Sequence, residues 1–387
     1  MKRLLIVTVL LTVHVCIPLH ASNPACGHLF GNLEQSKTSF LGGQLEELFD
    51  ATVSDTAFTE IQKKMGLSDS QKTMVAVLEA GFFMEHPGFE GKLKFAYDMI
   101  DGTNDPSGGR AFEIPGKKNT WNPGSQGHGT HTLGIVIGGG GVLGMPIRAF
   151  PKWGAAKLVE SAIYAIDKGA RVISMSIING TNGLIEIADK HPEILFVKAA
   201  GNASLDIDAQ LDSFAAGPGQ GWDGFDPILA SPRGNVVVVA ATDASGKLWH
   251  QTSGSNYGVH SVKLAARGAD VLSYFPIDGF NGKAGIEKLS GTSMATPLVA
   301  AIAGKIFNIY PKLMAIQVSK ILEVTSYQTE ELQSKVGSGG IVDPKSAYQL
   351  TALLKLTKDG QSFENAANKI NLTSAEKEKF QTMLKLF

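Results

Sequence analysis

The chain has 387 residues, 43% of them hydrophobic, with 44 glycines and with 35 basic against 36 acidic side chains. A formal net charge of −1 excludes a polyelectrolyte surface built for nucleic acid, and no acidic run marks a disordered tail. The length suits one large folded domain with appendages, and the glycine content suits a compact α/β protein rich in tight turns.

Met1-Lys2-Arg3 followed by the apolar run Leu4 to Val13 has the charged and apolar regions of a Sec-type signal peptide. A small-residue rule puts the cut after Ala21, so residues 1–21 are expected to be removed and the protein to be secreted or periplasmic. The run is too short to span a bilayer stably, so no membrane span is expected; the alternative is a buried N-terminal strand. Of the two cysteines, Cys16 falls inside this segment and Cys26 is left alone, so no internal disulfide is expected. Residues preceding either cysteine fit a lipid-attachment motif poorly. Residues 22–73 form a leader, in which Leu41 to Phe49 and Phe58 to Met65 have the spacing of short amphipathic helices.

Met74 to Leu78 is a continuous apolar run, as in a strand buried on both faces, and it ends at Glu79-Ala80-Gly81. Asp98, Asp101 and Asp105 then share one polar loop, a set of oxygens suited to Ca²⁺ or simply to solvent. Gly127-His128-Gly129-Thr130-His131 leads into an apolar stretch and predicts a helix over about 128–137. A helix from Leu158 to Lys168, a strand from Val172 to Ile177 and a helix from Ile185 to Lys190 follow. Ile194 to Val197 is a strand running into Ala199-Ala200-Gly201-Asn202, and Val236 to Ala241 is a central strand. Gly291-Thr292-Ser293-Met294-Ala295-Thr296-Pro297 opens a buried helix, and Met314 to Leu322 reads as a surface helix. Strands alternate with helices, which predicts an α/β fold: a parallel central sheet with helices on both faces, in three layers. Sites in such sheets gather at the carboxyl ends of strands, where Glu79 and Asn202 fall. A main domain over residues 74–350 is expected, followed by a Lys/Glu-rich tail over 351–387. The tail predicts two short helices, split near Asp359-Gly360 or near Asn371-Leu372-Thr373; it packs on the domain or binds a partner.

The chemistry lies in three of these segments. Ser293 sits at a helix entrance, where free N–H groups favour negative charge. His128 supplies a base, and Asn202 a side-chain donor for an oxyanion. The His block, the Asn block and Gly291-Thr292-Ser293-Met294-Ala295-Thr296-Pro297 stand in the order found in subtilisin-like serine peptidases, the subtilases of peptidase family S8. The resemblance runs from about Met74 to Leu350. It also covers Ser255-Asn256-Tyr257-Gly258, Leu264-Ala265-Ala266 and Gly337 to Asp343.

That resemblance implies an endopeptidase with Glu79, His128 and Ser293 as catalytic residues and Asn202 at the oxyanion. Ser176, Ile177, Ile178 and Gly201 would bind a protein or peptide substrate. It implies no required cofactor and no catalytic metal; Ca²⁺ would be structural. Such peptidases commonly carry an inhibitory pro-domain ahead of an N-terminal arm; a leader of about fifty residues has little room for both, so the full-size pro-domain is expected to be absent and the leader to be mostly the arm. Two departures stand out. The family's strand-end D-T/S-G block reads Glu79-Ala80-Gly81, and its cleft block S-L/F-G-G reads Ser176-Ile177-Ile178-Asn179. Isoleucine at 178 would crowd the cleft, because glycine is what lets a bound backbone approach closely. The alternative from another class is therefore a pseudoprotease, the same fold used as a binding module; an esterase or transferase with the same acyl chemistry is a third. His131, Thr292 and Thr296 are expected to be structural, and Glu85, His86 and His128 match no zinc spacing.

Overall fold

The computed structural model describes residues 56–69, 72–108, 112–114, 117–120, 123–150, 156–177, 183–209, 233–251, 253–278 and 283–387. The proposed signal segment, the helix expected at Leu41 to Phe49, and Ile178 lie outside the described residues.

A short helix, α1 (Thr56–Met65), precedes the first strand, β1 (Thr73–Glu79). Next come β2 (Tyr97–Asp98), a ribbon of β3 (Phe112–Ile114) and β4 (Lys117–Thr120), the histidine helix α2 (Pro123–Gly138) and β5 (Val142–Arg148). Helix α3 (Leu158–Asp167), β6 (Ala170–Met175), α4 (Leu184–Lys190) and β7 (Leu195–Ala199) alternate as expected. Then follow β8 (Val236–Thr242), β9 (Leu264–Arg267), the hairpin β10 (Val271–Asp278) and β11 (Lys283–Leu289), and the serine helix α5 (Thr292–Ile309). The chain closes with α6 (Ala315–Thr325), β12 (Tyr327–Gln328), β13 (Gly340–Ile341), α7 (Pro344–Lys358), α8 (Phe363–Lys369) and α9 (Ser374–Leu384).

Nine of these strands form one sheet in the order β12-β13-β9-β8-β7-β6-β1-β5-β2. The strand pairs in it are parallel except β12 with β13. Both sheet faces are covered, so the strands are apolar throughout instead of alternating. Val75 and Val77 face one core with α2 and α5, whereas Ala76 and Leu78 face a second with α3 and α4. Strand β1 lies between β5 and β6, so the order of connection reverses there and opens a crevice at its carboxyl end. Glu79 is the last residue of that strand.

Three local expectations are corrected. Helix α2 begins at Pro123 and not near residue 128, so His128 lies inside it and not at its start. Helix α6 is half-buried, with Val318, Ile321 and Leu322 in the core. Beyond residue 350 there is no single boundary: α7 runs through it, and both suspected breaks occur, giving α8 and α9. Ser362 caps α8, and Thr373 with Glu376 forms a capping box on α9, which is why the chain stops and restarts there. Ala366, Ile370 and Phe380 are buried in the main core. Helix α5 is long and apolar enough to cross a membrane, but 89% of it is buried, as in a core helix.

Candidate active site

Glu79 is 2% exposed, and its carboxylate lies across the imidazole of His128. His128 Nδ1 stands 3.0 Å from Oε2 and 3.0 Å from Oε1. The approach depends on Gly129, where an added Cβ would lie 2.1 Å from the Gly81 carbonyl oxygen and 3.1 Å from Glu79 Cβ. Helix α2 therefore seats its backbone directly on the end of β1. Thr132, one turn beyond His128, donates its hydroxyl to Glu79 Oε1 at 3.2 Å. Burial alone would lower the His128 pKa; the charge of Glu79 and its hydrogen bond outweigh this and raise it.

Ser293 is the second residue of α5, behind the N-cap position held by Gly291. Its hydroxyl donates to the Ser176 carbonyl at 3.4 Å, at the edge of hydrogen-bonding range. No hydrogen bond joins Ser293 Oγ to His128. Pro297 has no N–H, so the Ser293 carbonyl lacks its usual partner four residues on. Ser176 Oγ takes that place, donating at 2.8 Å. A proline inside the serine helix thus ties the strand after β6 to the nucleophile candidate.

Asn202 follows β7. Its Oδ1 accepts from Thr292 N and from Thr292 Oγ1, both at 2.9 Å. Two donors on one oxygen settle the amide orientation and leave Nδ2 as the free donor end. Thr292 Oγ1 in turn accepts from Gly201 N at 3.1 Å. Gly201 has φ +99, a conformation that favours glycine, and an added Cβ would stand 2.6 Å from Asn256 Nδ2. Asn256 staples this turn: Nδ2 donates to Ala200 O, and Oδ1 accepts from the N–H groups of Ala203 and Leu205. The sequence placed Asn256 in a block without giving it a task; a loop-to-loop bracket has no periodic signature.

Ser176 and Ile177 extend past β6, whose last residue, Met175, is paired with Lys198 of β7. Lys198 is fully buried, and its ammonium donates to the carbonyls of Ile177 and, at 3.4 Å, Ala199. Its signal was a lone lysine in an otherwise apolar run.

The polar loop after β2 is differently built from a calcium site. Arg148 Nη1 donates to Asp98 Oδ2 at 2.8 Å and Asp101 Oδ2 at 2.7 Å, so a guanidinium already serves those carboxylates. Asp105 accepts from Ser107 N at 3.1 Å. Among the described residues, no group of three His, Cys, Asp or Glu is placed to hold a metal ion. His86 accepts from Gly88 N through Nδ1 at 3.1 Å and donates Nε2–H to Gly285 O at 3.0 Å, which leaves no nitrogen for a ligand. His131 donates Nε2–H to the Val271 and Glu287 carbonyls, both at 3.0 Å, and so clasps the hairpin. Thr296 Oγ1 bonds back to Thr292 O at 2.8 Å.

The subtilase family model matches residues 70–339, well over half of the chain, and the chain belongs to that family. It is 31% identical over 246 residues to Subtilisin-like protease 9 of Arthroderma otae, covering 58% of this chain and 49% of that protein. It is 26% identical over 333 residues to Subtilisin-like protease 1 of Plasmodium falciparum, covering 79% and 47%. Thermitase of Thermoactinomyces vulgaris is 27% identical over 256 residues, covering 62% and 76%. The chain therefore spans about half the length of the first two relatives. Among solved structures, a subtilase cytotoxin assembly aligns with TM-score 0.60 at 17% identity, covering 81% of this chain and 97% of that one. The A subunit of an AB5 toxin from E. coli aligns with TM-score 0.57 at 19% identity, covering 77% and 99%. These two likenesses concern the fold, a mostly parallel sheet with helices around it.

Proposed function

We propose that the chain is an exported serine endopeptidase that works through Glu79, His128 and Ser293, with glutamate as the acid in place of the family's aspartate. The observation that carries this reading is the Glu79–His128 pair, with Nδ1 at 3.0 Å from the carboxylate. Ser293 Oγ attacks a peptide carbonyl, and His128 Nε2 accepts its proton and returns it to the leaving amine. To do so the hydroxyl leaves its weak contact with Ser176 O and turns to His128; such bonds commonly tighten only when substrate is bound. Asn202 Nδ2 and the Ser293 N–H hold the oxyanion, each such donor being worth about 3 kcal/mol. The substrate backbone pairs with Ser176 and Ile177 as an added strand, beside Gly201. Export rests on the charge and apolar pattern of residues 1–21.

A second reading, a binding module on the same fold, is favoured by the missing Ser293–His128 hydrogen bond and by isoleucine at 178. Labelling with a fluorophosphonate separates the two. The peptidase reading expects labelling of the native protein that Ser293→Ala abolishes. It expects slower labelling of Glu79→Asp, since the longer acid already reaches His128. No labelling of the native protein would support the binding module.

A further inference from the structure

Thr132 is buried on α2, four residues after His128, so both side chains lie on the helix face turned toward Glu79. Its one hydroxyl hydrogen has two acceptors, the Gly129 carbonyl at 3.1 Å and Glu79 Oε1 at 3.2 Å. A helical threonine commonly bonds back to the preceding turn, and that would be a purely local role. The carboxylate competes with advantage, because hydrogen bonds to ionised acceptors are roughly twice as strong as neutral ones.

A glutamate at a strand end has one more rotatable bond than an aspartate, and nothing in its own chain fixes the carboxylate plane. At this site the plane is set so that both oxygens stand 3.0 Å from His128 Nδ1. The only other side chain bonded to that carboxylate among the described residues is Thr132. We propose that Thr132 is a positioning residue for the reaction: its hydroxyl holds Glu79 in the orientation that grips His128. This rests on the peptidase reading for its consequence in turnover, but the geometry it describes is independent of turnover. The titratable groups that interact with His128 are Glu79, from β1, whose charge raises its pKa, and His131, three residues further along α2 and held neutral by burial.

The test compares Thr132→Val, which keeps the shape and removes the hydroxyl, with Thr132→Ser, which keeps the hydroxyl. Each is made in the native chain and in Glu79→Ala. In the native background Thr132→Val should lower kcat, and the fluorophosphonate labelling rate, by about tenfold with KM unchanged, as for one hydrogen bond to a charged group. Thr132→Ser should restore the rate to within about twofold. In Glu79→Ala the Val substitution should change nothing further, since a residue acting through another is non-additive with it. An equal loss in both backgrounds would show a merely structural threonine and overturn the proposal. Titration of His128 by NMR supplies the readout that needs no activity. Its pKa should fall in Thr132→Val; an unchanged or raised value would also overturn the proposal. If the native protein neither labels nor cleaves while that titration moves down, the peptidase reading fails and the role of Thr132 stands.

Discussion

His128 must be neutral to take a proton from Ser293, so activity should rise as pH climbs through its raised pKa. Glu79→Gln removes the negative charge that raises it. The acidic limb of the pH–rate profile should therefore move to lower pH while kcat falls, and a limb that stays in place would detach Glu79 from His128. His131 behaves in the opposite sense. It is fully buried, and its pKa is pushed down to about 4 mainly by desolvation. Between about pH 6.5 and 4 the unfolded chain binds the extra proton, so stability present above that window is lost as pH falls through it. The loss is about 3 kcal/mol, at about 1.4 kcal/mol per pH unit. Urea unfolding at pH 7 and at pH 4.5 should show most of it, and His131→Gln should flatten the dependence. Lys198→Met tests the buried ammonium. Replacing it by an apolar chain of similar length removes the cost of a buried charge together with the donor to the Ile177 carbonyl, so any loss of stability should stay below the about 1–3 kcal/mol of an unsatisfied acceptor. If the substrate pairs with this strand as proposed, KM should rise, because the carbonyl of Ile177 loses the donor that fixes it.

At the scale of elements, the serine helix and the strand after β6 are coupled by a missing N–H. Ser176→Ala leaves the Ser293 carbonyl without its donor, and an unsatisfied buried acceptor costs about 1–3 kcal/mol. The expected result is a lower melting temperature together with slower labelling of Ser293. Pairing Ser176→Ala with Pro297→Ala, which restores the N–H, should recover part of both, and no recovery would mean that the two changes are unrelated. The hairpin of β10 and β11 shows where pattern reading failed. Its outer strand has no fully buried residue and is interrupted by lysines and a glutamate, so it carries no apolar run. The hairpin exists because its carbonyls meet His131 and its inner strand covers α2. The same is true of the loop carboxylates Asp98 and Asp101. Their sequence spacing suited a cation, and the cation is a guanidinium supplied fifty residues later from the end of β5.

For the whole molecule, the leader helix and the tail are parts of one core. Phe58 of α1 meets the ring of Tyr348 on α7 edge-on, with centroids 5.6 Å apart, and Lys305 of α5 extends over Phe58. Lys305 lies twelve residues beyond Ser293, about 18 Å along the helix at 1.5 Å per residue. Helix α1 therefore docks at the end of α5 remote from the candidate site. Deleting residues up to 69 removes Phe58 and Ile61 from the core, so it should expose Tyr348 and lower the melting temperature without raising peptidase activity. A gain in activity on deletion would identify the segment as inhibitory.

The sequence by itself determined the alternation of strands and helices, the order of the blocks, and the residue types that can supply nucleophile, base and oxyanion donor. These are local properties: apolar runs, glycine turns and helix entrances are written in consecutive residues. Only the tertiary structure decided that both oxygens of Glu79 face His128, that Thr132 and Asn256 brace the site, and that Arg148 serves the acidic loop. Each depends on side chains that meet across the carboxyl ends of neighbouring strands. Their separation in the chain carries no period, and a contact made by one methylene or one hydroxyl is set by how closely α2 seats on β1.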